Sequence, residues 1–133
     1  MNSSSLLKFV GRTMIGATVG YLGYGALTEP GGRVAAAKDT IATMRKVVTI
    51  PLDDEAVVRT NGGIMVASGA MLSLGVLPKV AASAIAAVLI PTTIAGHAFW
   101  KMDKEDPQRN MQKTQVLKNV AIMGGLVYII GSK

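Results

Sequence analysis

The chain has 133 residues, half of them hydrophobic, a net charge of +6 and no cysteine. Without cysteine it forms no disulfide, thiolate metal site or thiol redox couple of its own. Its long, charge-poor apolar runs are unusual in a soluble domain, and its basic residues stand between those runs. The positive charge therefore indicates membrane flanks rather than nucleic-acid binding. The length suits four short membrane helices, which we expect to form a single domain over residues 1–133.

The first predicted helix covers residues 6–27, after a run of serines that offers an N-cap, with Lys8 and Arg12 at the near membrane interface. Gly16 and Gly20 have the GxxxG spacing that lets two membrane helices approach closely. The basic start resembles a signal peptide, but the following run is glycine-rich and lacks a clean small-x-small cleavage site. We therefore expect a retained helix.

Residues 29–57 form a long loop after Glu29 and Pro30 end the first helix. Within it, residues 35–48 place Ile41, Met44 and Val48 on one helical face. That pattern fits a short helix lying in the headgroup region, and a solvated connector fits equally well. Acidic residues from Asp53 onward then supply a cap for the next helix.

The second and third predicted helices, residues 58–77 and 80–100, are joined by a turn so short that they must form an antiparallel hairpin. Residues 80–100 carry no charge and span roughly 30 Å as a helix, the thickness of the hydrocarbon core. Trp100 fits an interfacial anchor, which places His97 about one turn inside the membrane. Pro91 frees the carbonyl of Ala87, and a threonine hydroxyl that follows it is expected to bond the freed backbone.

The fourth predicted helix covers residues 107–130, with Asp106 as N-cap and Pro107 in the first position. Its uncharged part, residues 119–132, spans only about 21 Å, which is short of the bilayer core. The helix must therefore draw Lys118 and Gln115 to membrane level. The predicted fold is all-α, a membrane-embedded up-down four-helix bundle.

This topology brings polar residues from several helix ends to the side of the two long loops. Two interpretations remain open: a shallow pocket for a quinone, a lipid head group or a partner protein, or side chains that satisfy one another. In the second, His97 bonds Thr93 or Asn119, and the basic side chains reach lipid phosphates. The candidate site residues are Arg59, Asn61, Thr93, His97, Gln115, Lys118 and Asn119.

The membrane orientation also has two interpretations. Most of the 14 lysines and arginines lie on the long-loop side, which favours cytoplasmic long loops under the positive-inside rule. Lys8 and Arg12, which directly precede the first helix, favour the opposite orientation.

Five short motifs resemble the DoxX family of small bacterial four-helix membrane proteins: VRTNGG (58–63), LGVLPK (74–79), PTTIAGHAFW (91–100), LKN (117–119) and GGL (124–126). The resemblance covers roughly the second half of the chain. It implies a multi-pass protein of the bacterial plasma membrane. It also implies association with membrane oxidoreductase systems, either quinone-linked complexes or assemblies that handle oxidative stress.

Several residues stand where the DoxX motif has them: Arg59, Asn61, Pro91, Thr92, Thr93, His97, Gln112, Lys118 and Asn119. Three positions depart from it. Gln115 and Val116 replace a histidine and an aromatic residue of many relatives, and Met65 replaces a glutamine. These departures remove polar groups from the predicted pocket and favour a scaffold.

The chain's own chemistry limits an enzymatic function. One histidine and no cysteine exclude bis-histidine haem, iron–sulfur and structural zinc sites within the chain. We expect an integral-membrane accessory subunit of a larger oxidoreductase or respiratory complex, without catalysis or a cofactor of its own. The alternative is a redox membrane protein that binds a quinone or lipid around His97. A transporter or channel is a weaker third class, because no ionisable residue lies in the middle of the spans.

Overall fold

The computed structural model describes all 133 residues, and its only regular secondary structure is helical, which confirms the predicted all-α class. A single 3-10 turn, Phe99–Lys101, separates the last two α-helices. The five α-helices are α1 (Ser3–Thr28), α2 (Gly32–Arg45), α3 (Asp54–Leu74), α4 (Pro78–Gly96) and α5 (Arg109–Gly131).

Side-chain caps start α1 and α3. The Asp53 carboxylate accepts a hydrogen bond of 2.8 Å from the Ala56 amide, and the acidic residues after it favour the helix N-terminus electrostatically. Asn2, rather than a serine, caps α1 by accepting from the Ser5 amide at 2.8 Å. Both helices therefore begin earlier than predicted, at Ser3 and Asp54.

The hairpin between α3 and α4 has a connection of three residues, 75–77, one more than predicted, and its backbone enters the left-handed region twice. Gly75 has φ +74°, which glycine adopts at little cost, and Leu77 has φ +43°. The α3 helix consequently ends at Leu74, before the predicted boundary of residue 77. Pro78 occupies the first turn of α4, where its missing N–H costs no hydrogen bond.

The end of α4 and the start of α5 also differ from the predicted boundaries of residues 100 and 107. α4 ends at Gly96, so His97 is its C-cap and Trp100 belongs to the 3-10 turn. Asp106 accepts a 2.8 Å hydrogen bond from the Gln108 amide and closes a turn ahead of α5. The predicted cap at Asp106 is therefore wrong, and α5 begins at Arg109.

The helical interpretation of the first long loop is confirmed by α2, which begins and ends three residues before the predicted segment 35–48. Its buried residues Ala37 and Ile41 pack against Ala26 and Val58. At its end, the Arg45 guanidinium lies 2.6 Å from an Asp54 carboxylate oxygen. α2 is therefore fixed to the start of α3.

Glycines bring α1 and α3 into backbone contact as an antiparallel pair. Gly16 lies opposite Gly69, and Gly23 lies opposite Gly62. A Cβ on Gly62 would lie 2.6 Å from the Gly23 carbonyl oxygen, closer than real Cβ atoms come. The close packing therefore uses a seven-residue spacing on both helices. Gly20 also takes part in this contact through its backbone, since a Cβ on Gly69 would lie 2.9 Å from the Gly20 nitrogen and 3.1 Å from its Cα. Both glycines of the predicted GxxxG face therefore contact α3, although a Cβ on Gly20 itself would meet nothing within 4 Å.

The main core joins α1, α3, α4 and α5, and it is small. Only 18 of the 133 residues are buried, and α5 contributes a single one, Leu126. The residues of this core are Val19, Met65, Leu72, Ala81, Ala82, Ile85, Leu89 and Leu126.

Two helical segments, Pro78–Lys101 and Arg109–Gly131, are long and apolar enough to span a membrane. Within their most apolar stretches, only 22% and 6% of the residues are buried inside the protein. Most of their apolar surface therefore faces outward.

Candidate functional site

Polar side chains connect α4 to α3 and α5 by hydrogen bonds between helices. One bond joins α4 to α3, and two join α4 to α5. We call this set the polar ladder: Asn61, Thr92, Thr93, His97, Gln112 and Asn119.

Two consecutive threonines supply the middle of the ladder. The side-chain amides of Asn61 and Asn119 each donate a 2.9 Å hydrogen bond, to the hydroxyl oxygens of Thr92 and Thr93 respectively. Successive residues of a helix point about 100° apart, so neighbouring threonines face different helices. The ladder therefore holds α3, α4 and α5 in a defined axial register.

The threonine hydroxyls donate their own protons within α4. Thr92 bonds the Val88 carbonyl at 2.6 Å, and Thr93 bonds the Leu89 carbonyl at 2.7 Å. The expectation that one of them bonds the Ala87 carbonyl freed by Pro91 is therefore wrong. Because each hydroxyl proton is used inside the helix, each oxygen is left as an acceptor for an asparagine amide.

His97 forms the outer rung of the ladder. Its Nδ1 lies 2.6 Å from Oε1 of Gln112, and its backbone N–H donates to the Thr93 carbonyl at 3.0 Å. Because Gln112 Oε1 is an acceptor, Nδ1 carries the hydrogen, and in the neutral ring Nε2 keeps its lone pair. The predicted side-chain bond from His97 to Thr93 or Asn119 is wrong, since Thr93 and Asn119 bond each other.

The seven-residue spacing of polar residues on α5 explains why Gln112 and Asn119 both reach α4. Gln112, Asn119 and Leu126 are seven residues apart and so lie on one helical stripe, which ends at the buried Leu126. That stripe faces α4. Reasoning from the residues alone missed Gln112, which entered only through the DoxX resemblance, although its seven-residue distance from Asn119 was a usable signal.

Arg59 lies outside the ladder and performs a different structural task. Its guanidinium donates a 2.6 Å hydrogen bond to the Leu27 carbonyl at the end of α1, and it pairs with Glu55 at 2.9 Å. Carbonyls in the last turn of a helix lack intrahelical donors, so this bond satisfies one of them. Arg59 thereby ties the start of α3 to the end of α1.

The other two predicted site residues also lie outside the ladder. Lys118 is exposed, and Gln115 is half-buried. The ladder thus brings together Asn61, Thr93, His97 and Asn119 from the predicted set and leaves Arg59, Gln115 and Lys118 apart.

Seven grooves open on the surface of the molecule, and one of them lies between α2 and α4. The α2–α4 groove, about 460 Å³, is lined by Thr40 and Met44 on one side and by Ile90, Pro91 and Ile94 on the other. A second groove, about 200 Å³, lies beside the start of α3 and includes Asn61 in its lining. His97 lines neither of these two grooves, and no cluster of histidine and carboxylate side chains could hold a metal ion.

No family model matches the chain, and neither curated proteins nor solved structures show a similar sequence or fold.

Proposed function

We propose that the chain is a multi-pass membrane protein in which α1, α3, α4 and α5 span the bilayer and α2 lies at its surface. α4 and α5 have the length and hydropathy for spanning. α3 runs antiparallel along α4 from the hairpin at Gly75 to the Asn61–Thr92 bond, so α3 shares the depth of α4 in the membrane. α1 lies along α3 from Gly16 to Leu27 and shares that depth in turn.

The exposed apolar surface supports this setting. Leu7, Met14, Tyr21 and Tyr24 of α1 are all more than half exposed. The accessible surface of 8421 Å² exceeds the roughly 6,600 Å² typical of a soluble monomer of this mass. Large exposed apolar areas mark contact with lipid or with partner proteins.

In that setting, the chain serves as an accessory subunit of a larger oxidoreductase or respiratory complex in the bacterial plasma membrane, without catalysis of its own. One observation carries the non-catalytic assignment: the polar groups of the ladder pair with one another between helices. Paired amides and hydroxyls at membrane depth stabilise helix association, and here they lock three helices together. The oxidoreductase association is what the DoxX resemblance implies.

A second function is favoured by one feature of His97. Its Nδ1 is fixed by Gln112, so the half-buried ring, when neutral, presents Nε2 as an acceptor in a defined direction. A quinol hydroxyl or a lipid head-group donor would bond that nitrogen. In this alternative, the chain is a redox membrane protein whose ligand contacts the outer rung of the ladder.

A pull-down in mild detergent separates the two functions. We compare tagged wild type, His97→Ala and the control Lys104→Gln, which changes an exposed residue of the α4–α5 turn. Mass spectrometry identifies co-purifying proteins, quinones and lipids. The accessory function predicts the same oxidoreductase subunits with all three forms, because His97 braces the bundle without contacting the partner.

The opposite result has an equally clear meaning. If no protein co-purifies, and a quinone or lipid is present with wild type and Lys104→Gln but lost with His97→Ala, the accessory assignment is wrong. The outer rung is then a ligand site.

A further inference from the structure

We propose that the α2–α4 groove binds a phospholipid with an ethanolamine head group, which places its acyl chain against α4 and its head group between α2 and the α4–α5 turn. The inference rests on the proposed membrane location and is independent of the accessory function. The groove is separate from the polar ladder, since none of the ladder residues lines it.

The apolar side of the groove matches an acyl chain. Ala87, Ile90 and Ile94 line it from α4 at spacings of three and four residues, so they form one continuous exposed stripe. Met44 covers the stripe from α2 and adds a flexible apolar side chain. The volume of about 460 Å³ falls within the roughly 300–1,000 Å³ common among small-molecule sites.

The opposite wall of the groove is held in place before any ligand binds. The buried residues Ala37 and Ile41 fix α2 against α1 and α3, and the Arg45–Asp54 ion pair fixes its end. A preformed wall lowers the entropy cost of binding, because little of the protein has to become ordered.

The charges of the groove select the head group. Asp39 of α2 and Lys101 of the 3-10 turn both line it, and neither takes part in the two ion pairs of the protein, Arg45–Asp54 and Arg59–Glu55. A head group that carries both a phosphate and a primary ammonium satisfies both: Lys101 binds the phosphate, and Asp39 accepts from the ammonium. A glycerol head group leaves the Asp39 carboxylate without a cation.

Native mass spectrometry of the purified protein tests this selectivity. Detergent-solubilised protein is titrated with equal amounts of phosphatidylethanolamine and phosphatidylglycerol, and the bound fraction of each lipid is measured. Wild type is expected to bind the ethanolamine lipid in preference. Asp39→Asn should lose roughly fivefold to tenfold of that preference while still binding phosphatidylglycerol, whereas Lys101→Gln should weaken the binding of both lipids.

Matched controls come from the same turn and from α5. Lys104→Gln and Glu105→Gln remove exposed charges near the groove that do not line it, so both should behave as wild type. Ala87→Phe fills the apolar side and should lower retention of both lipids. Ala121→Phe, at an exposed position on α5, adds the same ring outside the groove and should have no effect.

Equal binding of the two lipids by wild type, or an undiminished preference in Asp39→Asn, would overturn the lipid site. A parallel alkaline extraction of cell membranes separates this failure from failure of the membrane assignment. If wild type stays in the membrane pellet but shows no selectivity, the lipid site alone is wrong. If wild type is extracted, the membrane location and the lipid site both fail.

Discussion

The adjacent threonines of α4 show how two residues can fix three helices. Thr92 accepts from Asn61 on α3, and Thr93 accepts from Asn119 on α5. Each hydroxyl proton is directed to a carbonyl of α4 itself, so the acceptor direction of each oxygen is set by its own helix. A substitution of Thr92 should therefore weaken the packing of α4 against α3 only, and a substitution of Thr93 should weaken its packing against α5 only.

A double-mutant cycle on Thr93 and Asn119 measures this link. We expect Thr93→Val and Asn119→Ala to show a coupling free energy of about 0.6–2 kcal/mol, the range for hydrogen bonds between membrane helices. The free energy of unfolding is measured by titration with denaturing detergent in mixed micelles.

The matched control pairs Thr114→Val with Asn119→Ala. The Thr114 hydroxyl is exposed and bonds only the Asn110 carbonyl of its own helix, so its coupling to Asn119 should be near zero. Equal couplings for Thr93 and Thr114 would show that the Thr93–Asn119 bond does not stabilise the fold.

The sequence identified most residues of the polar ladder but not the hydrogen-bond partner of each. Asn61, Thr93, His97 and Asn119 were all predicted site residues, because polar groups near membrane depth need partners. Which groups pair depends on the axial shift of α5 against α4. That shift is set by the irregular segment 97–108, which has no periodic signal.

At the level of elements, the α1–α3 pair depends on the absence of side chains. Gly62 and Gly69 each face backbone atoms of α1, so an added Cβ cannot be accommodated by a change of side-chain rotamer. The two helices would have to move apart along their shared interface. Close approach strengthens dispersion contacts, which largely replace the hydrophobic effect between helices in lipid.

We expect Gly62→Ala to lower the free energy of unfolding by about 1–3 kcal/mol, the usual cost of overpacking. Gly124→Ala is the control, because a Cβ there meets nothing within 4 Å and alanine favours a helix over glycine by about 1 kcal/mol. The free energies of unfolding of both variants are measured by titration with denaturing detergent and compared with that of wild type. If Gly62→Ala is as stable as Gly124→Ala, the helices do not approach as closely as described.

The boundaries at the end of α4 could not be read from the sequence. Phe99 and Trp100 extend the apolar run, and hydropathy does not distinguish an apolar turn from an apolar helix. In the turn, the rings of Phe99 and Trp100 meet edge to face at 5.4 Å, and the Arg109 guanidinium at the start of α5 lies 5.4 Å from the Phe99 ring. By contrast, the Asp53 cap is local and was predictable.

At the level of the whole molecule, the side of the membrane on which Lys38 lies tests the proposed four-span arrangement. The chain lacks cysteine, so single-cysteine variants can be labelled from either side of the membrane with no background. With four spans, Lys38→Cys and Lys104→Cys should react from one side, and Ser3→Cys and Lys79→Cys from the other.

A two-span arrangement, with only α4 and α5 in the bilayer, gives a different pattern. The Lys38 position would then react from the same side as Lys79 and opposite to Lys104. Membrane-impermeant maleimide, applied to intact cells and to inverted vesicles, distinguishes the two patterns. The unmodified chain is the control and should remain unlabelled.

The pairing of α1 with α3 also has a consequence for synthesis on the ribosome. About 46 residues separate the end of α1 at Thr28 from the end of α3 at Leu74. At a synthesis rate of roughly 5–20 residues per second, about 2–9 s pass between the completion of α1 and the completion of α3. Throughout that interval the glycine face of α1 is uncovered, so the nascent helix is open to pairing with other helices until α3 is complete.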